Sequence, residues 1–183
     1  TDYSLRLTIH STGVGGPIAV PVIGDLASQG VSRMIRLGTC LAIEPGLAAG
    51  TLLLVSRAVV ADGTSRVLGA GQDFVRPDQR LLGALGGLGR EATISSHDLV
   101  RRYEPEGTGR SDPGPAIARD LETAATLAMC RRMDIPAAAL LIVAEDTAGN
   151  RLDEEAMWDL FRSAGKAVLS RLARLEPNPQ VEV

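Results

Sequence analysis

His10-Ser11-Thr12-Gly13-Val14-Gly15-Gly16-Pro17, then an apolar-periodic stretch from Ile18 to Gln29, then Arg36-Leu37-Gly38-Thr39-Cys40, is the passage whose reading decides the fold. The glycines let the backbone approach a ligand closely, and Pro17 starts a helix whose unpaired N–H groups face an anion or an oxygen-rich group. Gly30 stops that helix. Leu5-Arg6-Leu7-Thr8-Ile9 alternates apolar and polar residues and reads as a strand delivering His10 to the loop, while Val31 to Leu37 reads as the next strand. Two polar turns thus hang on neighbouring elements of one α/β unit and form a ligand-binding edge.

Working outward, the same alternation of strand and helix continues. Pro45, Gly46 and Gly50 mark a connection, Thr51 to Val60 is an apolar, β-branched run suited to a buried strand, and Ala61-Asp62-Gly63-Thr64-Ser65 turns the chain. Leu81, Leu82, Leu85 and Leu88 space a helix within Pro77 to Gly89, and Ala92 to Ser95 is a short strand. Arg101 to Pro115 offers little to a core and reads as a mobile loop able to act as a lid. Ala116 to Met133 is helical in pattern, Ala137 to Ala144 is a parallel-type strand ending in Glu145-Asp146, and Asp153 to Leu175 is a closing helix with Trp158, Phe161, Val168 and Leu172 inward. This order predicts a three-layer α/β/α sandwich with a mixed, mainly parallel central sheet. Ligands then sit beyond the carboxyl ends of the strands. Residues 1–175 read as one domain and 176–183 as a flexible tail.

Composition narrows the function. With 183 residues and 45% hydrophobic content the chain can bury a full core, and a net charge of −3 gives no overall attraction to nucleic acid or an anionic membrane. A small ligand is the expected partner. Cys40 and Cys130 have neither a CxxC neighbour nor a histidine at ligand spacing, so no metal is expected and the chain reads as reduced and cytoplasmic. No apolar run reaches the roughly 18 residues of a membrane span, and no signal peptide opens the sequence. Because the first residue is Thr1, the expectation is a processed chain or a natural start further upstream.

Several groups can carry chemistry. Arg36 with Gly38-Thr39 supplies a cation, a close-approach backbone and a hydroxyl, which suits a phosphate oxygen; the alternative is a surface charge at a strand end. Asp120-Leu121-Glu122 opens or lines the long helix, where carboxylates either accept hydrogen bonds from a sugar diol or stabilise the helix N-terminal half. Asp146 ends a buried strand, where desolvation would raise its pKa for proton donation to a leaving group; it serves equally as a helix cap. Ser95-Ser96-His97-Asp98 is set aside as a hydrolase triad, since adjacent residues do not form the relay and no nucleophile elbow precedes them. Arg101, Arg102, Glu104 and Glu106 read as a solvated loop face, and His10 and His97 as satisfied polar groups.

Four stretches in register, Ser-Thr-Gly-Val-Gly-Gly-Pro, Ile-Arg-Leu-Gly-Thr-Cys, Ser-Ser-His-Asp and Asp-Leu-Glu-Thr-Ala-Ala, resemble the nucleoside phosphorylase-I superfamily over about Leu5 to Leu175. Its members include uridine phosphorylase, hexameric purine nucleoside phosphorylases, and methylthioadenosine and AMP nucleosidases. The resemblance implies the phosphorylase/hydrolase-like fold and cleavage of a nucleoside by phosphate to a free base and (deoxy)ribose 1-phosphate. A hydrolytic nucleosidase, or a non-catalytic assembly or nucleotide-sensing module on the same fold, are the alternatives. It implies Arg36 and Asp146 as catalytic residues; Arg36, Thr39 and Gly13 as phosphate ligands; and Val14, Leu121 and Glu122 around the ribose. Ser96, Val100 and Asp120 would border the base. Inorganic phosphate would be co-substrate with no other cofactor, and the chain would form a homo-oligomer with sites near subunit interfaces. Departures are also visible. The family's Gly-Asp-Pro-x-Arg loop has no counterpart before Leu5, Leu41 stands where Gly is common, Asp120 shortens a Glu, and Val100 replaces an aromatic residue.

Overall fold

A computed structural model of the chain describes residues 6–70, 73–104 and 114–175. Six strands and five helices follow in the order α1 (Gly16–Ser28), β1 (Met34–Ala42), β2 (Leu52–Ala61), α2 (Gly63–Val67), β3 (Phe74–Val75), α3 (Gln79–Ala84), β4 (Arg90–His97), β5 (Ala118–Asp120), α4 (Thr123–Arg132), β6 (Ala137–Glu145) and α5 (Glu154–Leu172). The sheet order is β3-β2-β4-β5-β1-β6, and a further pairing of β2 with β6 returns the sheet on itself. Long parallel ladders join β1 to β6 and β2 to β4, a short one joins β4 to β5, and the antiparallel contacts β1–β5, β2–β3 and β2–β6 are brief. The sheet is mixed and mainly parallel, with helices on both faces.

The apolar run of β6 explains the layering. Ala137, Ala139, Leu141 and Val143 point into one buried cluster with Ala19 and Ile23 of α1 and Ala124 and Leu127 of α4. Ala138 and Leu140 point the opposite way, toward Leu81 of α3 and Ala164 and Val168 of α5. A strand buried on both faces has no reason to alternate, so it reads as a continuous hydrophobic run. β1 divides likewise, with Met34 and Cys40 on the α1/α4 side and Ile35 and Leu37 on the α3/α5 side.

Several elements differ from expectation. Residues 6–10 form no strand and are exposed, Ile9 at 86%, because no other strand pairs with them among the described residues. β1 starts three residues later than expected and runs on to Ala42, so Arg36 to Cys40 lie within a strand and not in a polar turn. Ala61 to Ser65 includes the start of a short helix, whose first turn is capped by the Asp62 carboxylate accepting from the Ser65 N–H at 2.6 Å. Ala116 to Met133 is not one helix: Ala118–Asp120 is recruited as β5 between β4 and β1, and the helix begins only at Thr123. Trp158 faces outward, 57% exposed, with Phe161 tilted against it at 6.0 Å between ring centroids. The expected lid falls largely on residues 105–113, and the expected tail on 176–183, outside the described residues.

Gly16 fixes the approach of α1 to α4. A Cβ there would lie 2.9 Å from the Ala125 Cβ and 3.0 Å from the Thr64 Cβ, closer than carbon atoms pack. Gly16→Val is therefore expected to cost about 1–3 kcal/mol by overpacking. Urea unfolding followed by circular dichroism measures this, and an unchanged midpoint would refute the close-packing role.

Candidate active site

Arg36 leaves β1 on the α1/α4 side, and its guanidinium folds over Gly38. A Cβ at Gly38 would sit 2.5 Å from Nη2, so only glycine leaves room for this pose. From there Nη2 donates to Glu122 Oε1 at 2.6 Å and to Asp120 Oδ2 at 3.4 Å, while Nε donates to the Thr123 hydroxyl at 2.9 Å. The Arg36 and Glu122 side chains are about one-tenth exposed, and that of Asp120 is buried.

The carboxylates are placed by the start of α4. Asp120 Oδ2 accepts from the Thr123 N–H at 3.0 Å and from its hydroxyl, and Oδ1 accepts from the Ser96 hydroxyl at 2.6 Å. Ser96 Oγ in turn accepts from the Ala124 N–H at 2.9 Å. Two otherwise unpaired N–H groups of the first turn are thus capped by residues from β4 and β5. This arrangement aims Glu122 back at the glycine loop, where its Oε2 accepts from the Gly15 N–H at 3.4 Å. Burial pushes the Glu122 carboxyl above its ordinary value and the negative Asp120 adds to this, while Arg36 and the Gly15 N–H pull the other way.

A separate cleft of about 600 Å³ opens beyond the tips of β1 and β6. Leu41, Val100, Arg119 and Asp146 are among its lining residues. In the β1–β6 register Arg36 sits beside Ala139 and Leu41 beside Glu145, so the cluster and the cleft are strung along β1, with roughly 16 Å of strand rise between Arg36 and Leu41.

Arg36, Asp120, Glu122 and Ser96 are therefore brought together, and Asp146 shares the second hollow with Val100. Thr39 is exposed and lies three residues from Arg36 in a strand, which turns the two side chains to opposite faces. The expected grouping of their side chains within one turn does not form. Gly13 and Val14 lie in the exposed loop, Gly13 with a positive φ of 73°, and Leu121 is half-buried with its carbonyl accepting from the Gly16 N–H. Asp146 differs from expectation in its electrostatics. Its carboxylate accepts from the Asn150 side-chain amide at 2.7 Å and from the Asn150 and Ala148 N–H groups at 2.9 Å, which holds it below its usual range. A carboxylate solvated by its own turn is an acceptor, not a poised acid.

The sequence reading missed Gly15 and Thr123 as members of the cluster, and it missed a second one. Ser95 and His97, two apart on a strand, share a face, and His97 Nε2 lies 3.0 Å from Ser95 Oγ. His97 Nδ1 is 3.8 Å from Glu104, which pairs with the buried Arg119 guanidinium. Ser95 is fully buried and His97 nearly so, so this pair does not meet a substrate as a hydrolytic relay. The period of a strand is the signal that would have found it. Among the described residues no cluster of His, Cys, Asp and Glu suits a metal ion, and no helix is long and apolar enough to cross a membrane.

No family model matches the chain. A guanosine phosphorylase of Halorubrum lacusprofundi is 28% identical over 144 residues, covering 75% of this chain and 60% of that protein. A DeoD-type purine nucleoside phosphorylase of Geobacillus kaustophilus is 27% identical over 149 residues, covering 76% and 63%. A uridine phosphorylase of Thermococcus kodakarensis is 40% identical over 60 residues, 33% of this chain and 22% of that one. In fold, the purine nucleoside phosphorylase of Toxoplasma gondii, solved with immucillin-H, matches at a TM-score of 0.75 with 20% identity over 89% of this chain and 73% of its own. The 5'-methylthioadenosine/S-adenosyl homocysteine nucleosidase of Campylobacter jejuni matches at 0.70 with 18% identity over 90% and 79%. The chain is thus similar in sequence to nucleoside phosphorylases and shares the fold of a purine nucleoside phosphorylase and a nucleosidase, and it spans about three fifths of the length of the first two of these curated relatives.

The Glu122 shift has a definite sign. Its folded value lies above its unfolded one, so the folded chain holds the extra proton just above pH 4.5. The stability this group contributes is complete below that window and is lost as pH rises through the folded pKa. Chemical unfolding at stepped pH should therefore show wild type losing stability relative to Glu122→Gln as the pH rises above 4.5. Parallel pH profiles would contradict the shift.

Proposed function

We propose that the protein cleaves the N-glycosidic bond of a nucleoside, with phosphate as the acceptor of the sugar. The observation that carries this reading is the buried contact of Arg36 with Glu122 beside the glycine loop. A guanidinium has five N–H donors, and the bonds formed among the described residues use Nε and Nη2 but not Nη1. Nη1 therefore remains for two phosphate oxygens. Glu122 accepts one bond on each oxygen, which leaves lone pairs for ribose hydroxyls. Phosphate held under the sugar stabilises the positive charge of an oxocarbenium-like transition state, and sugar hydroxyls bound to a fixed carboxylate hold the ring in place. Asp146 serves as an acceptor for an N–H of the base.

Hydrolysis is the second reading, and one observation favours it. Two carboxylates face the single Arg36 guanidinium, a balance that admits neutral water more readily than a phosphate dianion. Exposed Ile9, Val14 and Ile18 surround the glycine loop, and we assign this apolar surface to a second copy of the chain that completes the site in a cytoplasmic homo-oligomer; light scattering measures its mass.

Base release from a panel of nucleosides, with and without phosphate, tests the function. Phosphate-dependent release of a base and a sugar phosphate is expected. Phosphate-independent release assigns hydrolysis, and no release with any nucleoside rejects both. Arg36→Ala should lower the phosphate-dependent kcat/KM by about 10²–10³-fold, and Glu122→Ala should raise the nucleoside KM. Kinetics unchanged in both variants would overturn the two assignments.

A further inference from the structure

The cleft beyond β1 and β6 carries a charge pattern that a neutral base does not require. Arg101, Arg102, Arg119 and Arg151 line it, against Glu145 and Asp146. Most of these charges are already satisfied. Arg151 Nε pairs with Glu145 at 2.7 Å, the Asp146 carboxylate is held by Asn150 and Ala148, and Arg119 pairs with Glu104 and donates to the Leu99 carbonyl at 3.3 Å. Arg101 and Arg102 remain, both exposed, and Arg101 is near enough to Glu104 to help Arg119 hold that carboxyl below its usual range. They stand on a single 3-10 turn (Arg101–Tyr103) at the cleft wall, and neither has a carboxylate ion pair among the described residues. Arg102 lies over the Tyr103 ring, 4.9 Å from its centroid, which steadies its stem without neutralising it. Arg119 behind them is 3% exposed and pairs through β5 with Leu41 of β1, so the wall is anchored to the strand that also carries Arg36.

We infer that this cleft receives an anionic aglycone: the ligand is an N-riboside whose base bears a carboxylate or ionises readily, and Arg101 and Arg102 recognise that charge. The inference deepens the proposed function and rests on it only for the order of parts, sugar toward Glu122 and base toward Leu41. Guanidiniums at this end also do chemical work. When the N-glycosidic bond breaks, its electron pair leaves on the base nitrogen while the anomeric carbon takes an oxygen of phosphate. Fixed cations stabilise that departing negative charge without a proton donor, and Asp146, occupied within its own turn, is not required to supply one.

Calorimetric titration of the full chain with free bases tests the cleft apart from catalysis. Orotate, a carboxylated pyrimidine, is expected to bind at least tenfold more tightly than uracil, and the preference should weaken as salt is raised. Arg101→Ala combined with Arg102→Ala should remove the preference. Equal binding of orotate and uracil, or a preference that survives loss of both arginines, overturns the inference. Displacement of orotate by inorganic phosphate at matched ionic strength, with the same arginine dependence, would also overturn it by making the cleft a phosphate site. A preserved preference with no cleavage of any nucleoside would sustain the cleft assignment and reject the enzymatic reading.

Discussion

One buried guanidinium holds the candidate site together. Arg36 contacts Glu122, Asp120 and Thr123, and Glu122 contacts Gly15, so a single cation links β1, the end of β5, the start of α4 and the glycine loop. Taking charges out of water costs several kcal/mol per ion, and the attraction repays it only where the remaining donors and acceptors are also bonded. Here Asp120 is bonded through both oxygens and Glu122 through both of its own. Removing one partner would strand the others, at a cost of about 3–5 kcal/mol. The same rigidity has a chemical use, since dipoles and charges already in place need no reorganisation when a transition state forms among them.

Local sequence revealed those parts of the fold whose conformations have local causes. Pro17 and Gly30 bracket α1, and the apolar runs of β2 and β6 announce strands buried on both sides. Ala118–Asp120 was illegible for the opposite reason. Three residues form a strand there because β4 and β1 pair with them, while their own composition continues the helical pattern of α4. Leu5 to Ile9 shows the converse error: alternation describes a strand with one buried face, but residues 6–10 have no sheet to join among the described residues.

The site was legible in its charged members and not in its geometry. Arg36, Asp120 and Glu122 stood out as residue types suited to a phosphate and a sugar, but the strand period that parts Arg36 from Thr39 emerged only once β1 was found to run through both. Asp146 was misjudged because its neighbours in sequence, Ala148 and Asn150, supply the hydrogen bonds that keep it ionised. An aspartate followed at short range by glycine and asparagine is a turn former before it is an acid. Arg101 and Arg102 read as part of a solvated loop face and are exposed, while the turn that carries them is flanked by Leu99 and Glu104, both bonded to the buried Arg119.

The return of β2 to β6 has a consequence for how the molecule behaves in a crowded solution. Strands β2, β4, β5, β1 and β6 close into a ring, and among the described residues the only strand outside it, β3, is two residues long. A sheet without a long bare rim offers no template on which a stray chain can lay a strand of its own. Among the described strands, protection against fibre-like association is built into the topology, with no need for charged or proline gatekeepers along a margin.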